Sequence, residues 1–228
     1  AASARAPGAR GRSRPRRAAT PPAGVDRPRD RWSTRAVLTE SAARWLLVLH
    51  TALGVAAVGA ATHLVLWLRR LAGGAHGRLR AVRRFAWLVL VLQGLALAAG
   101  NAMYPTYKVE IRAAYLENGE AVSTAAARHQ DQLARVAARE GQAAPAGPVT
   151  RDLVRRAARA ARWFDVKEHW VALGAIAQLA LVLVLAFWDP ARGGRELAPF
   201  LVGIAAVVAA TLWLAATIGV ATAAWRAV

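Results

Sequence analysis

The chain has 228 residues, of which 56% are hydrophobic, and it carries a formal net charge of +18. It contains no cysteine, which excludes disulfides, thiolate metal sites, iron–sulfur clusters and haem attachment through cysteine. A chain this basic could bind nucleic acid. However, its charges and its apolar residues are segregated, and 11 of the 31 lysines and arginines lie before residue 45. This segregation favours an integral membrane protein whose basic flanks contact anionic lipid headgroups.

Residues 1–40 mix Arg, Pro, Gly and Ala without apolar periodicity. This composition predicts a disordered basic tail, because it cannot bury enough apolar surface to fold. A membrane domain is expected over residues 41–228, with Ser41 as a candidate cap for its first helix.

The first apolar segment runs from about residue 45 to 68. It carries no full charge between Arg44 and Arg69, and Trp45 and Trp67 lie at its two ends. About 20 apolar residues are enough to cross the hydrocarbon core of a bilayer, and tryptophan anchors such helices in the headgroup layers. The segment therefore predicts a transmembrane helix.

Three further apolar segments follow, at about residues 85–103, 164–188 and 197–224. The connections between the first and second segments and between the third and fourth are short, so these neighbours are expected to be antiparallel. Gln93 and Gln178 lie deep in the second and third segments and are expected to form interhelical hydrogen bonds. The predicted fold is an all-α integral membrane protein with a four-transmembrane-helix bundle.

A polar connection over residues 104–163 joins the second and third segments. Pro105 is expected to end the second helix just before it, and residues 107–112 alternate like a strand that has no partner. Residues 121–141 predict a helix. Thr150 begins a basic amphipathic helix that is expected to lie along the headgroups before the chain enters the bilayer. The connection is thus predicted to be partly helical and outside the membrane.

Two histidines lie at matching depths in segments that run in the same direction. His50 is five residues past Trp45, and His169 is five residues past Phe164. Two neutral imidazoles on opposite sides of an iron are what a six-coordinate b-type haem requires, so the pair could hold one haem b. In the alternative interpretation, the small residues that follow His50 serve close helix packing, and each histidine hydrogen-bonds a neighbour.

Acidic residues accompany the second of these histidines. Asp165, Glu168 and His169 fall at i, i+3 and i+4 on one helical face, a pattern that could hold a divalent metal. The same spacing fits a helix start in which Asp165 is the N-cap and Glu168 completes a capping box. Ion pairs to Lys108 or Arg112 would support that second interpretation.

A third candidate is a pocket for a quinone headgroup at the membrane interface. It would be lined by Tyr104, Tyr107, Lys108, Arg112, His50 and His169. Interfacial tyrosine and lysine also serve widely as anchors, which is the simpler interpretation of these residues. Residues 104–112 and 164–169 are called here the two signature segments, since they hold most of the candidate site residues.

The sequence contains no Walker loop, dinucleotide fingerprint, HExxH or GxSxG motif. It therefore predicts a non-enzymatic structural or anchoring subunit of a membrane complex, with other membrane subunits or a second copy as partners. The alternatives are a b-type haem electron-transfer subunit that contacts quinone and a transport component for a metal or small solute. We expect the bacterial inner membrane. The basic tail and the arginines of the short loops favour opposite orientations.

Overall fold

The computed structural model describes residues 38–74, 76–190 and 193–224, and these residues form an all-helical protein. The helices are α1 Glu40–Ala72, α2 Leu79–Thr106, α3 Gly119–Arg139, α4 Thr150–Phe187 and α5 Ala198–Ala224. A π-helical segment, Tyr107–Leu116, continues α2, and short 3-10 turns precede α2 and α5. Most of the predicted basic tail lies outside the described residues.

Among the described residues, four helical stretches are each long and apolar enough to cross a membrane. They are Glu40–Ala72, Leu79–Leu116, Thr150–Phe187 and Arg195–Ala224. Each overlaps one of the four apolar segments of the sequence. The prediction of an all-α protein with four such helices is therefore confirmed.

The four long helices pack in a square. α1 packs against α2 and α5, and α4 packs against the same two helices, so α1 and α4 lie at opposite corners. Leucine and valine side chains with less than 2% exposure fill much of the space between them, including Leu64, Leu68, Val82, Val89, Leu181, Leu185, Leu201 and Val208. This arrangement decides which of the candidate side chains can meet.

Two buried glutamines join α2 to α4 inside this core. Gln178 Nε2 donates to the carbonyl of Ala86 at 2.7 Å, and Gln93 Nε2 donates to the carbonyl of Val171 at 3.5 Å. The predicted interhelical hydrogen bonds are confirmed. The oxygen atoms of both amides are buried and have no hydrogen-bond partner among the described residues.

The short-loop end of the bundle is defined here as the end where α1 connects to α2 and α4 connects to α5. An arginine from α2 stabilises this end. Arg83 donates through Nε to the carbonyl of Leu185 at 2.6 Å and through Nη2 to the carbonyl of Trp188 at 2.8 Å. The last carbonyls of a helix have no partner within it, and a cation there also complements the helix dipole. Arg83 therefore caps α4 and ties its end to α2.

The second helix does not end before Pro105, as the sequence predicted. It continues through the proline and then widens, so that the Glu117 N–H bonds to the carbonyl of Arg112, five residues back, at 2.9 Å. An interior proline costs a helix about 3 kcal/mol. The following segment packs against α4 through Tyr107 and Arg112, and these contacts favour the continued helix. The strand-like interpretation of residues 107–112 is also wrong.

The third apolar segment forms the C-terminal part of one continuous helix, α4. α4 begins at Thr150 and runs without a break to Phe187. Two predictions are therefore wrong: the chain does not turn between a surface helix and a span, and Asp165 is not an N-cap. The first helix also differs in detail, because Thr39 rather than Ser41 accepts the capping hydrogen bond.

The π-helical segment, α3 and the first turns of α4 form a helical arm, defined here as residues 107–139 and 150–163. Its small core is built from Leu116, Val122, Ala157 and Ala161. Asn118 caps α3, because its Oδ1 accepts from the N–H groups of Glu120 and Ala121 at 3.1 Å each. α3 lies close to α4 at Gly119, where a Cβ atom would lie 3.3 Å from the Val154 side chain.

Candidate functional site: the clamp between arm and bundle

The two signature segments pack against each other at the point where the arm joins the bundle. The ring of Tyr107 stacks on the ring of Phe164, with centroids 3.9 Å apart and planes at 21°. Arg112 donates through Nη1 to Asp165 Oδ1 at 2.6 Å and through Nε to Glu117 Oε1 at 2.9 Å. We call these five residues the clamp.

The π-helical geometry brings the clamp residues onto one face. In an α-helix, residues five apart are turned by about 140° from each other. Hydrogen bonds from i to i+5 bring such residues to the same side of the helix. Tyr107 and Arg112 are five apart, and both contact α4. The wide helix therefore lets one short segment present a ring and a guanidinium to the same partner helix.

The Arg112 pairs are partly shielded from water. The side chain of Arg112 is 24% exposed, that of Asp165 is 37% exposed and that of Glu117 is 45% exposed. Exposed ion pairs contribute about 0.2–1 kcal/mol, and charge-assisted hydrogen bonds of good geometry contribute more. The ion pair that the sequence predicted for Arg112 is present and gives the clamp a modest stabilising energy.

One polar atom of the clamp has no protein partner. The hydroxyl oxygen of Tyr107 is buried and makes no hydrogen bond to any described residue. A buried hydroxyl without a partner costs roughly 1–3 kcal/mol. The hydroxyl could therefore take a water or a ligand oxygen at this position.

Lys167 extends the cluster from the clamp towards α5. Its Nζ lies 5.2 Å from the centroid of the Phe164 ring, within the range of a cation–π contact. It also lies close to Gly219 of α5. The half-buried ammonium therefore sits between α4 and α5.

His50 is half-buried between α1 and α2. Its Nδ1 lies 2.9 Å from the carbonyl of Ala96, and a carbonyl only accepts, so Nδ1 carries the proton. Gly100 gives the ring its space, since a side chain there would lie 3.3 Å from Cε1. Because Nδ1 carries the proton, Nε2 is unprotonated and can accept a hydrogen bond or bind a metal.

His169 is in a different setting. It is exposed on α4, and its Nδ1 bonds the carbonyl of Asp165 one turn earlier at 2.8 Å. His63 makes the same kind of bond, to Gly59 at 3.0 Å, so this geometry does not single out a metal ligand. The hydrogen bonds of the described residues do not join His50 to His169, which lie on helices at opposite corners of the bundle.

Asp165, one of the two acidic residues beside His169, pairs with Arg112. Within the described ranges, no three His, Asp or Glu side chains converge in a way that could hold a metal ion. Asp165 accepts from Arg112, and Glu168 is half-buried on the same helix. The arrangement of Asp165 suits an ion pair.

The residues of the predicted quinone cluster lie in different surroundings, and a role in quinone binding stays a prediction. The rings of Tyr104 and Tyr107 lie 6.4 Å apart, and Tyr107 and Arg112 face α4, whereas Lys108 is exposed. Sequence reasoning missed the roles of Phe164, Lys167, Glu117 and Gly100. The spacing of five between Tyr107 and Arg112 could have indicated a shared face only if a π-helix had been assumed.

The chain matches no protein-family model, no curated protein and no solved structure.

Proposed function

We propose that this chain is an integral membrane protein that serves as a non-enzymatic anchoring subunit and holds a rigid basic arm at the membrane surface for a partner protein. One observation carries the proposal. α4 runs unbroken from the arm into the apolar bundle. The clamp residues also hold the π-helical segment of the arm against α4.

The length of α4 supports a position of the arm beyond the headgroups. α4 has 38 residues. At 1.5 Å per residue it is about 57 Å long, compared with about 40–45 Å for a bilayer including its headgroups. Since its apolar part lies at the Phe187 end, its excess length falls at the Thr150 end. The first turns of α4 therefore stand in water, where they can meet a protein.

The arm carries more positive than negative charge, and most of the excess lies on the first turns of α4. Exposed arginines cover the first turns of α4 and much of α3: Arg151, Arg155, Arg156, Arg159, Arg162, Arg128, Arg135 and Arg139. Complementary charge speeds encounter and rejects wrong partners. We therefore expect the partner to present an acidic surface.

The test is purification from native membranes in a mild detergent at the natural expression level. We expect a particle heavier than the 24.2 kDa chain, with a second polypeptide in a fixed ratio. Charge reversal of Arg151, Arg155 and Arg159 to Glu should release that polypeptide and leave the chain in the membrane fraction. Arg69→Glu with Arg70→Glu, at the opposite end, is the matched control and should retain the polypeptide. Retention by the arm variant, or purification of the chain alone, would contradict the proposal.

The second candidate is the b-type haem electron-transfer subunit. It is favoured by His50, which is half-buried, has Nε2 available and faces Gly100 rather than a larger side chain. An absorption spectrum of the same purified particle separates the two candidates. A Soret band that His50→Ala abolishes would replace the anchoring proposal with the electron-transfer one.

A further inference from the structure

An open cleft of about 810 Å³ lies at the short-loop end of the bundle, away from the clamp. It is lined by Trp67 of α1, by the 3-10 turn that precedes α2 and by the beginning of α2. The side chains that matter are two aromatic rings and four guanidinium groups, from Trp67, Phe85, Arg78, Arg80, Arg83 and Arg84. Its volume is within the range of about 300–1,000 Å³ that is typical of ligand pockets.

The cleft combines apolar and cationic surfaces. The rings of Trp67 and Phe85 contact each other with centroids 4.5 Å apart, and both are half-buried. No aspartate or glutamate is among the described residues that line the cleft. Such a lining suits a ligand that is apolar at one end and anionic at the other.

The four arginines do not have the same role. Arg83 is committed to the carbonyls of Leu185 and Trp188, as described above. Arg78, Arg80 and Arg84 are exposed at the cleft. Arg83 therefore maintains the fold at this end, and the other three are placed to bind an anion.

The position of the cleft identifies the ligand class. Trp67 is among the last residues of the apolar stretch of α1, directly before Arg69 and Arg70. Tryptophan at such a boundary lies at headgroup level when the helix spans a bilayer, and basic pockets between helices at that level bind anionic lipids. We propose that this cleft binds the headgroup of an anionic phospholipid, with the phosphate on Arg78, Arg80 and Arg84 and the upper acyl chains against Trp67 and Phe85. The inference rests on membrane insertion but requires no partner subunit.

The test uses the full chain in a neutral detergent, with phosphatidylglycerol as the probe and native mass spectrometry to count bound lipid. We expect phosphatidylglycerol to bind in preference to phosphatidylcholine. Replacement of Arg78, Arg80 and Arg84 by Gln should weaken that binding by roughly 100-fold, because each guanidinium near the phosphate contributes about fivefold. Replacement of Arg151, Arg155 and Arg159 by Gln removes the same charge from the arm and should leave the binding unchanged.

Several results would overturn the assignment. These are unchanged binding by the cleft variant, equal binding of phosphatidylcholine, and inorganic phosphate that displaces the lipid at similar concentration. If the triple variant does not fold, the Arg80→Gln, Arg84→Gln pair should still lose roughly tenfold or more in affinity. An unchanged affinity in that folded pair would equally reject the site. Because no partner protein is present, failure here is separate from failure of the anchoring proposal.

Discussion

Replacing Gly174 with valine is expected to destabilise the bundle by about 3 kcal/mol, the upper end of what overpacking costs. Gly174 is buried on α4, and a side chain there would collide with Thr211 of α5 and approach Gln93 of α2. Three helices meet at this residue, so the clash cannot be relieved by moving one exposed side chain. The measurement is the midpoint of thermal unfolding in detergent.

Gly203→Val is the matched control for this substitution. Gly203 lies on α5, and a side chain there would meet nothing within 4 Å. The two variants make the same chemical change in a helix, so the difference between them isolates the clash. A double-mutant cycle of Gly174→Ala with Thr211→Ala should show partial rescue, because the Thr211 hydroxyl is the nearest obstacle. Equal stability of the Gly174 and Gly203 valine variants would refute this account of the core.

Replacing Arg112 with alanine is expected to loosen the arm and to cost about 1–2 kcal/mol. The change removes both carboxylate contacts of the clamp, to Asp165 on α4 and to Glu117 at the end of the π-helical segment. The rate of trypsin cleavage at the exposed arginines of α3 measures the effect. We expect that rate to rise severalfold in the Arg112 variant.

Lys108→Ala is the control, because Lys108 is an exposed cation of the same segment. Trypsin should cleave the Lys108 variant at the same rate as the parental protein. A swap of charges, Arg112→Asp with Asp165→Arg, should restore part of the protection that Arg112→Asp alone removes. If the Arg112 and Lys108 variants are cleaved alike, the ion pairs do not hold the arm.

Hydropathy alone was enough to predict the four long helices, because apolar runs between bounding arginines are a strong local signal. The path through Pro105 was not predictable in the same way. Whether a helix continues past a proline depends on the contacts beyond it, and Arg112 and Asp165 are 53 residues apart in sequence. The capping-box interpretation of Asp165 failed for a related reason, since the helix had already begun at Thr150.

The site was predicted in part. The sequence indicated the Arg112 ion pair, which the structure contains, whereas a functional role of the two signature segments stays a prediction. Residue types and membrane depth could not show that α1 and α4 occupy opposite corners of the bundle, which determines how His50 and His169 can interact. Helix depth follows from counting residues, whereas neighbour relations depend on packing between all four helices. The pairing of these histidines through a haem stays a prediction.

The most direct test of the membrane topology on which the anchoring proposal rests is cysteine labelling in sealed membrane vesicles. The chain has no cysteine, so single substitutions report without background. Ala127→Cys probes the arm, Gly77→Cys probes the short-loop end, and Leu179→Cys probes the exposed apolar face of α4. The account predicts that an impermeant maleimide labels the first two from opposite sides of the membrane and leaves the third unlabelled. Labelling of the first two from the same side, or ready labelling of the third, would contradict it.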